Sequence, residues 1–372
     1  MKLAIVRQRY TPFGGAERFV AGALDTLRSR GVDVEIIARQ WTEGDAGVEC
    51  NPFYLGRTWR DRSFARCVQR VIASERYDIV QSHERIPGCH VYRAGDGIHA
   101  TWLELARKPL TWLSPWHRYT LAAEAAMLRH PNLQAVICNS RMVRDDIARR
   151  FPQAAEKLHV IYSGVDPQRF HPALCEEHRS ALRKKVGAGE AAPIILYVGS
   201  GFARKGVATL IEALARMATS NAEVWIVGQD KEAARYRRLA QQLGVDSRIR
   251  FFGAQTDVRP FYGAADIFCL PTLYDPFPNA ALEALACGLP VVTTATCGAA
   301  ELIETGRNGW VCPPRDPAAL ADALETLSRP GVSEVMRGSA HASTAPLTPV
   351  AMAEQLTALY ARLIESTAFR AR

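Results

Sequence analysis

"LYVGSGFARKGVATLIEALA", Leu196 to Ala215, is the stretch whose reading decides the fold. It opens on an apolar run, passes through Gly199-Ser200-Gly201, and continues into Val207, Leu210, Ile211 and Leu214, spaced to share one helical face. Strand, small-residue turn and helix form the front half of a βαβ unit, where loop amides and a helix N-terminus converge at the strand's carboxyl end. Arg204 and Lys205 sit beside the helix start. Loop amides, helix dipole and two cations together suit an anion, most naturally a diphosphate, although a solvated basic turn uses the same residues. A dinucleotide fingerprint fits less well. Its third glycine position is Arg204, and Asp230, at the end of "VWIVGQD", comes too late for the ribose-binding acid.

The same alternation extends in both directions. "KLAIV", "VDVEIIA", "YDIVQSH" and "QAVICNS" read as strands of a first half; "PIILYVG", "AEVWIVG", "RIRFFG", "DIFCLP" and "LPVVTT" read as strands of a second. Helical patterns lie between them, which predicts an α/β protein with parallel, doubly wound sheets. At 372 residues, with 48% hydrophobic and 23% charged residues, the chain is sized for two such Rossmann-like domains facing a central cleft. "HVIYSGVDPQRF" is the expected hinge, "VAMAEQLTALYARLIESTAF" a long amphipathic helix, and "SRPGVSEVMRGSAHASTAPLTP" (Ser328 to Pro349) the expected linker.

The amino-terminal apolar run is too short for a signal peptide, and no stretch approaches the ~20 apolar residues of a membrane span. Nine cysteines without a Cys-x-x-Cys pair predict reduced thiols with no disulfide framework or zinc site, and nine histidines show no ligand spacing. The expected compartment is the cytoplasm. The net charge of +8 is uneven: residues 1–164 carry +7 and residues 165–372 carry +1, which points to an anionic partner for the first half.

"RYTPFGGAERFVAGALDTL" places Gly14-Gly15 between the first strand and a helix expected from about Ala16, a second place where backbone can approach a ligand or simply turn. "LYDPFPNAALEALACG" (Leu273 to Gly288) holds two carboxylates eight positions apart. Its prolines exclude a helix before Asn279, whereas the alanines and leucines after it favour one that stops at Gly288. Asp275 therefore precedes a helix that contains Glu283. Glu283 lies among Ala281, Leu282, Ala284 and Leu285, so a wholly solvated face is not expected, and a carboxylate there suits vicinal sugar hydroxyls.

From "DVRPFYGAADIF" to "GRNGWV" the chain resembles the retaining glycosyltransferases of the GT-B fold whose signature is Glu-x7-Glu followed by Gly-x-x-Glu and Asn-Gly; the later elements are Gly298, Glu301 and Asn308-Gly309. "YTPFGGAERF", "IPGCHVYRAGDGIHA", "YVGSGFARKGV" and "IVGQDK" look most like the bacterial lipopolysaccharide core glucosyltransferases. The resemblance implies a donor-binding domain over residues 165–349. It also implies an acceptor-binding domain over 1–164, with the helix 350–372 packing back on it.

By that resemblance Glu283 would hold the ribose hydroxyls of a UDP-sugar and Asp275 the transferred hexose, glucose favoured. Arg204 and Lys205 would neutralise the diphosphate as it leaves, with the amides of Asn279 and Ala280 beside them, and Gly14 and Gly15 would close on the donor. Asp96 in "AGDGIHA" would be the base or orienting group for the acceptor hydroxyl, or only a Gly-Asp-Gly turn residue; His99 is the alternative. Transfer would proceed by same-face attack without a covalent intermediate. Asp275 departs from the family's glutamate and is one methylene shorter, and Pro278 stands where relatives often have glycine. The sequence has no Asp-x-Asp motif, so no metal and no cofactor are expected.

"GRTWRDRSFARCVQR" carries Arg57, Arg60, Arg62, Arg66 and Arg70, and "ARKPLTWLSPWHRY" mixes Arg107, Lys108 and Arg118 with Trp112 and Trp116. Cations interleaved with aromatics suit an anionic membrane surface or a phosphorylated glycolipid, or an ordinary basic face over core tryptophans. No nucleic-acid module is present, so nucleic acid is not an expected partner. The leading expectation is a hexosyltransferase at the inner face of the cytoplasmic membrane, acting on a lipid-linked glycan of the lipopolysaccharide inner core. The alternatives are a mannosyl- or N-acetylhexosaminyl-transferase of another surface glycan, or a sugar-nucleotide-binding protein that has lost transfer.

Overall fold

The computed structural model describes residues 1–9, 28, 31–40, 47–107, 111–219 and 221–370, and for residues 112 and 366–370 the backbone alone. Gly14, Gly15 and Lys108, and the side chain of Trp112, lie outside the described residues. The chain divides into two compact units: Met1–Gly164 together with Pro349–Arg372, and Val165–Thr348. Each is a parallel-sheet Rossmann-like α/β unit, as the alternation of strands and helices predicts.

Among the described residues the first unit holds a seven-stranded sheet in the order β3-β2-β1-β4-β5-β6-β7. Its strands are β1 (Lys2–Arg9), β2 (Asp33–Gln40), β3 (Gly47–Glu49), β4 (Ile79–Ser82), β5 (Val91–Arg93), β6 (Ala135–Cys138) and β7 (Leu158–Val160). All pairings are parallel, with Leu3 opposite Val34 on one side and Ile79 on the other. Side chains alternate between faces along each strand. Leu3, Ile5, Ile36, Ile79 and Ile137 on one face are covered by Met352, Leu356, Leu359 and Tyr360 of the helix Pro349–Arg370. Ala4, Val6, Ile37 and Val80 on the other pack against Phe64, Ala65 and Val68 of the helix Gly56–Ser74. The Tyr360 hydroxyl donates to Gln81 Oε1 at 2.6 Å inside the core, giving the C-terminal helix a defined rotation on the sheet.

In the second unit the order is β10-β9-β8-β11-β12-β13. The strands are β8 (Ile194–Val198), β9 (Glu223–Val227), β10 (Ile249–Gly253), β11 (Ile267–Leu270), β12 (Val291–Thr294) and β13 (Gly309–Cys312), again all parallel. The first strand in sequence is central, so the winding reverses between β8 and β11. That switch point is where doubly wound sheets open a crevice at their carboxyl ends. The strands' amino ends are tied by Arg183, whose side chain is fully buried. It donates to Asp266 Oδ2 at 2.7 Å and to the carbonyls of Ala264 and Ala192, while Asp266 also accepts from the Ile194 amide at 2.8 Å.

Two expectations are corrected. The composition of Ser328–Pro349 reads as a linker, but Val332–Ala342 is a helix. Ser333, Met336 and Ala340 are buried on one side of it, and His341 Nδ1 meets the Ala286 carbonyl at 2.7 Å. Tertiary contact overrides the low propensity of a Ser/Gly-rich segment. Second, not all cysteines are free thiols. Cys50 after β3 is disulfide-bonded to Cys67 on the helix Gly56–Ser74, with Cα atoms 5.7 Å apart, and the other seven are free. No described helix is long and apolar enough to cross a membrane.

Because the helix Pro349–Arg370 covers a whole sheet face, Leu356→Ala is expected to cost about 2–5 kcal/mol through the cavity it leaves. Urea unfolding followed by circular dichroism measures this; an unchanged midpoint would show that the helix is not part of that core.

Candidate active site

At the switch point two strand-to-helix loops lie side by side. Gly199–Gly206 follows β8 and leads into the helix Val207–Leu214; Pro271–Pro278 follows β11 and leads into the helix Asn279–Ala286. Gly206 has φ +78°, and a Cβ there would stand 1.8 Å from the Pro271 carbonyl oxygen. Only glycine permits that approach. The contact is reinforced on its other side, where the Arg204 carbonyl accepts from the Leu273 amide at 2.8 Å and the Thr272 hydroxyl at 3.0 Å. Phe202, buried edge-on between Tyr197 and Tyr236, anchors the first loop, and its amide donates to Asp230 Oδ2 at 2.8 Å. Asp230, too late to be a ribose acid, therefore has a structural task.

The three charged residues come together at these loops. Arg204 Nη1 lies 3.3 Å and Lys205 Nζ 3.4 Å from the same Asp275 oxygen, Oδ2, and Arg204 Nη1 also donates to the Tyr274 carbonyl at 2.9 Å. Lys205 lies across Gly199, where a Cβ would stand 3.0 Å from both its Cδ and Nζ. Asp275 is 6% exposed, so its charge is met by the cations more than by water. Its backbone is fastened to the next loop: its amide donates to Thr296 O at 3.2 Å and its carbonyl accepts from the Gly298 amide at 2.8 Å. Gly298 thus holds Asp275 in place. Asn308 is buried and closes a turn, accepting from the Glu304 amide and donating to the Leu302 carbonyl, both at 2.8 Å. A Cβ on Gly309 would stand 2.0 Å from the Val291 carbonyl oxygen, so Asn308 acts through its side-chain amide and Gly309 through close backbone packing.

Glu283 is 5% exposed in the helix Asn279–Ala286 and accepts from the Tyr262 hydroxyl at 3.0 Å. Tyr262 also reaches the Ala280 carbonyl at 3.2 Å and so braces the helix's first turn. No sequence motif marks Tyr262; its signal is tertiary. Asn279 and Ala280 are half-buried where the helix begins, and their amides precede any intrahelical acceptor.

The candidates of the first unit form a separate group. Asp96 is exposed in the loop after β5. Glu124, 1% exposed and part of no sequence motif, steadies that loop. It accepts from the His99 amide at 3.0 Å and from Arg85 Nε at 2.8 Å, and Arg85 Nη2 donates to the Gly97 carbonyl at 3.1 Å. The His99 ring is buried and 2.9 Å from His117 Nδ1. Burial and then the charges of Arg85 and His117 push its pKa down to about 4. Arg57, Arg62, Arg66, Arg70, Arg107 and Arg118 are exposed; Arg60 is half-buried and paired to Asp61 at 2.8 Å. Trp116 is not an exposed interfacial ring: it is half-buried, and its indole donates to Asp61 Oδ2 at 2.7 Å. Among the described residues no group of three or more His, Cys, Asp or Glu side chains could hold a metal ion.

A neutral buried His99 makes a pH prediction. The unfolded chain takes up this proton as pH falls through about 6.5, whereas the folded chain resists until about 4. Stability from His99 is therefore complete above about 6.5 and is lost progressively down to about 4. In urea titrations the wild type should exceed His99→Gln in stability at neutral pH, and the gap should shrink on acidification. A gap constant with pH would contradict the neutral, buried ring.

Comparison with known proteins agrees with this architecture. Residues 13–169 match the family model described as Glycosyltransferase Family 4, and residues 178–335 match Glycosyl transferases group 1. The chain is 30% identical over 319 residues to the lipopolysaccharide glucosyltransferase WaaG of Escherichia coli (strain K12), covering 84% of this chain and 85% of that one. It is 37% identical over 145 residues to the lipopolysaccharide core biosynthesis glycosyltransferase LpsE of Rhizobium meliloti (strain 1021), covering 39% of this chain and 42% of that one. Among solved structures, that of WaaG matches with a TM-score of 0.84 at 27% identity, covering 96% of this chain and 99% of that one. Anabaena Alr3699/HepE in complex with UDP and glucose shares the fold, with a TM-score of 0.74 at 22% identity over 97% of this chain and 100% of that one. The chain belongs to the group 1 glycosyltransferases and has their GT-B fold.

Proposed function

We propose that this enzyme moves a hexose, glucose favoured, from a UDP-sugar onto a lipid-linked glycan, the inner core of lipopolysaccharide, with retention of configuration and without a metal, at the inner face of the cytoplasmic membrane. The observation that carries the reading is the convergence of Arg204 and Lys205 on Asp275 at the switch point of the second sheet. The lipopolysaccharide assignment is supported by the similarity to WaaG and LpsE, and the UDP assignment by the sequence resemblance.

The geometry suggests how such a reaction would run. Without a donor, Asp275 neutralises the two cations. A diphosphate entering the loop takes them over, since its charge exceeds that of one carboxylate, and frees Asp275 to accept from a hydroxyl of the transferred sugar. As the glycosidic bond breaks, negative charge grows on the leaving diphosphate, and the prepositioned guanidinium and ammonium stabilise it more than they stabilise the ground state. The Asn279 and Ala280 amides at the helix start serve the same anion. Glu283, oriented by Tyr262, takes the ribose hydroxyls. Asp96 accepts or orients the proton of the acceptor hydroxyl.

Calorimetry without divalent metal should show UDP binding in preference to GDP and ADP. Arg204→Ala should weaken UDP by about tenfold or more. Asp275→Ala should leave UDP affinity equal or tighter, because a competing carboxylate is gone, while transfer falls by at least about a hundredfold. Unchanged transfer would sink the role given to Asp275. A preference for GDP or ADP would replace the donor, and a rate abolished by chelator would overturn the metal-free reading.

A further inference from the structure

A run of apolar side chains at one end of the first unit is held in water. Phe53 is 73% exposed, Leu55 69%, Trp59 48% and Tyr54 37%. They are consecutive or one helical turn apart, at the loop that enters the helix Gly56–Ser74. Exposed apolar residues scattered singly need no explanation, but four in seven positions do.

The run is also braced. The Arg39 guanidinium, buried at the end of β2, donates to the Pro52 carbonyl at 2.9 Å, the Arg60 carbonyl at 2.6 Å and the Ser63 hydroxyl at 2.7 Å, so it clamps the loop to the helix's first turns. The Tyr54 ring lies over that guanidinium at 4.8 Å, and Phe53 meets Trp59 edge-on at 5.8 Å. Cys50 and Cys67, with Cα atoms 5.7 Å apart, seat the loop's entry against the same helix. These contacts hold the rings at the surface.

The surroundings identify what the run meets. Trp59, Arg62, Arg66 and Arg70 follow one another on the exposed face of the helix. The helix's sole carboxylate, Asp61, is turned away and occupied by Gln8 Nε2 at 2.9 Å and Trp116 Nε1 at 2.7 Å. An apolar aromatic tip continuous with a stripe of arginines complements the headgroup region of an anionic bilayer: tip among acyl chains, guanidiniums on phosphates. We propose that Phe53, Tyr54, Leu55 and Trp59 form a rigid wedge that inserts into an anionic phospholipid surface, with Arg62, Arg66 and Arg70 seated on the headgroups. This rests on the membrane reading above and names the element that penetrates. Charge alone would give an adsorbed, salt-labile protein; the wedge adds an apolar component that salt does not screen.

The test is co-sedimentation with vesicles of equal parts phosphatidylglycerol and phosphatidylcholine, at low and at high salt. Phe53→Ser/Leu55→Ser should lower partitioning by about tenfold or more at both salts. Arg62→Glu/Arg66→Glu should lower it chiefly at low salt. The loop variant should keep its circular dichroism and its transfer to a detergent-dispersed acceptor. Wild type that binds while the loop variant binds equally overturns the wedge and leaves the membrane reading standing. Wild type that does not bind even at low salt overturns both. If sedimentation velocity without lipid shows a wild-type dimer that the loop variant abolishes, the occupant is a second copy of the chain and the proposal falls.

Discussion

The close approach of Gly206 to the Pro271 carbonyl is the constraint on which the rest of the site depends. It brings the loops after β8 and β11 into backbone contact, so that Arg204 and Lys205 from one meet Asp275 from the other. Any larger residue at position 206 would collide with backbone, and no rotamer change relieves that. From this point the support spreads outward. Gly298 binds the carbonyl of Asp275, Asn308 closes the turn leading to β13, and Phe202 holds the start of the cationic loop in the core. Precision at two cations and one carboxylate comes from parts that carry no charge.

What was legible in the sequence follows physical lines. β8 and β11 and the centres of β1 and β9 are buried on both faces and read as unbroken apolar runs, and β2 keeps an Ile36–Ala38 centre despite Glu35, so they were visible. β3, β5 and β7 have three residues each, below the length at which any period shows, and only their ladder partners define them. The helix Val332–Ala342 was hidden because its composition speaks for a loop while its contacts supply the stability. The Cys50–Cys67 pair was hidden because its closeness depends on where a strand and a helix meet. Trp59 and Trp116 sit in similar basic, aromatic surroundings, and only the folded structure tells which ring is exposed.

The same division holds for the site. The charged residues of the candidate site, Arg204, Lys205, Asp275 and Glu283, stand in a local pattern and could be found there. Residues that aim them could not. Tyr262 reaches Glu283 from 21 positions away and Glu124 reaches the loop of His99 from 25 positions away. Neither has a neighbour in sequence that announces its task. A buried carboxylate with its partner removed is costly, so Tyr262 beside Glu283 and Arg85 beside Glu124 stabilise the fold where these carboxylates sit.

The path of the chain has a consequence for its biosynthesis. The unit Val165–Thr348 is one continuous segment, complete once its last residue is clear of the ribosome. The other unit is not: one face of its sheet is covered by Met352, Leu356, Leu359 and Tyr360, which are translated after the whole of its neighbour. A nascent chain therefore presents Leu3, Ile5, Ile36 and Ile137 as an uncovered apolar face while nearly two hundred further residues are made. The part made first is the last to be finished, and during that interval its protection falls to chaperones or to the speed of translation itself.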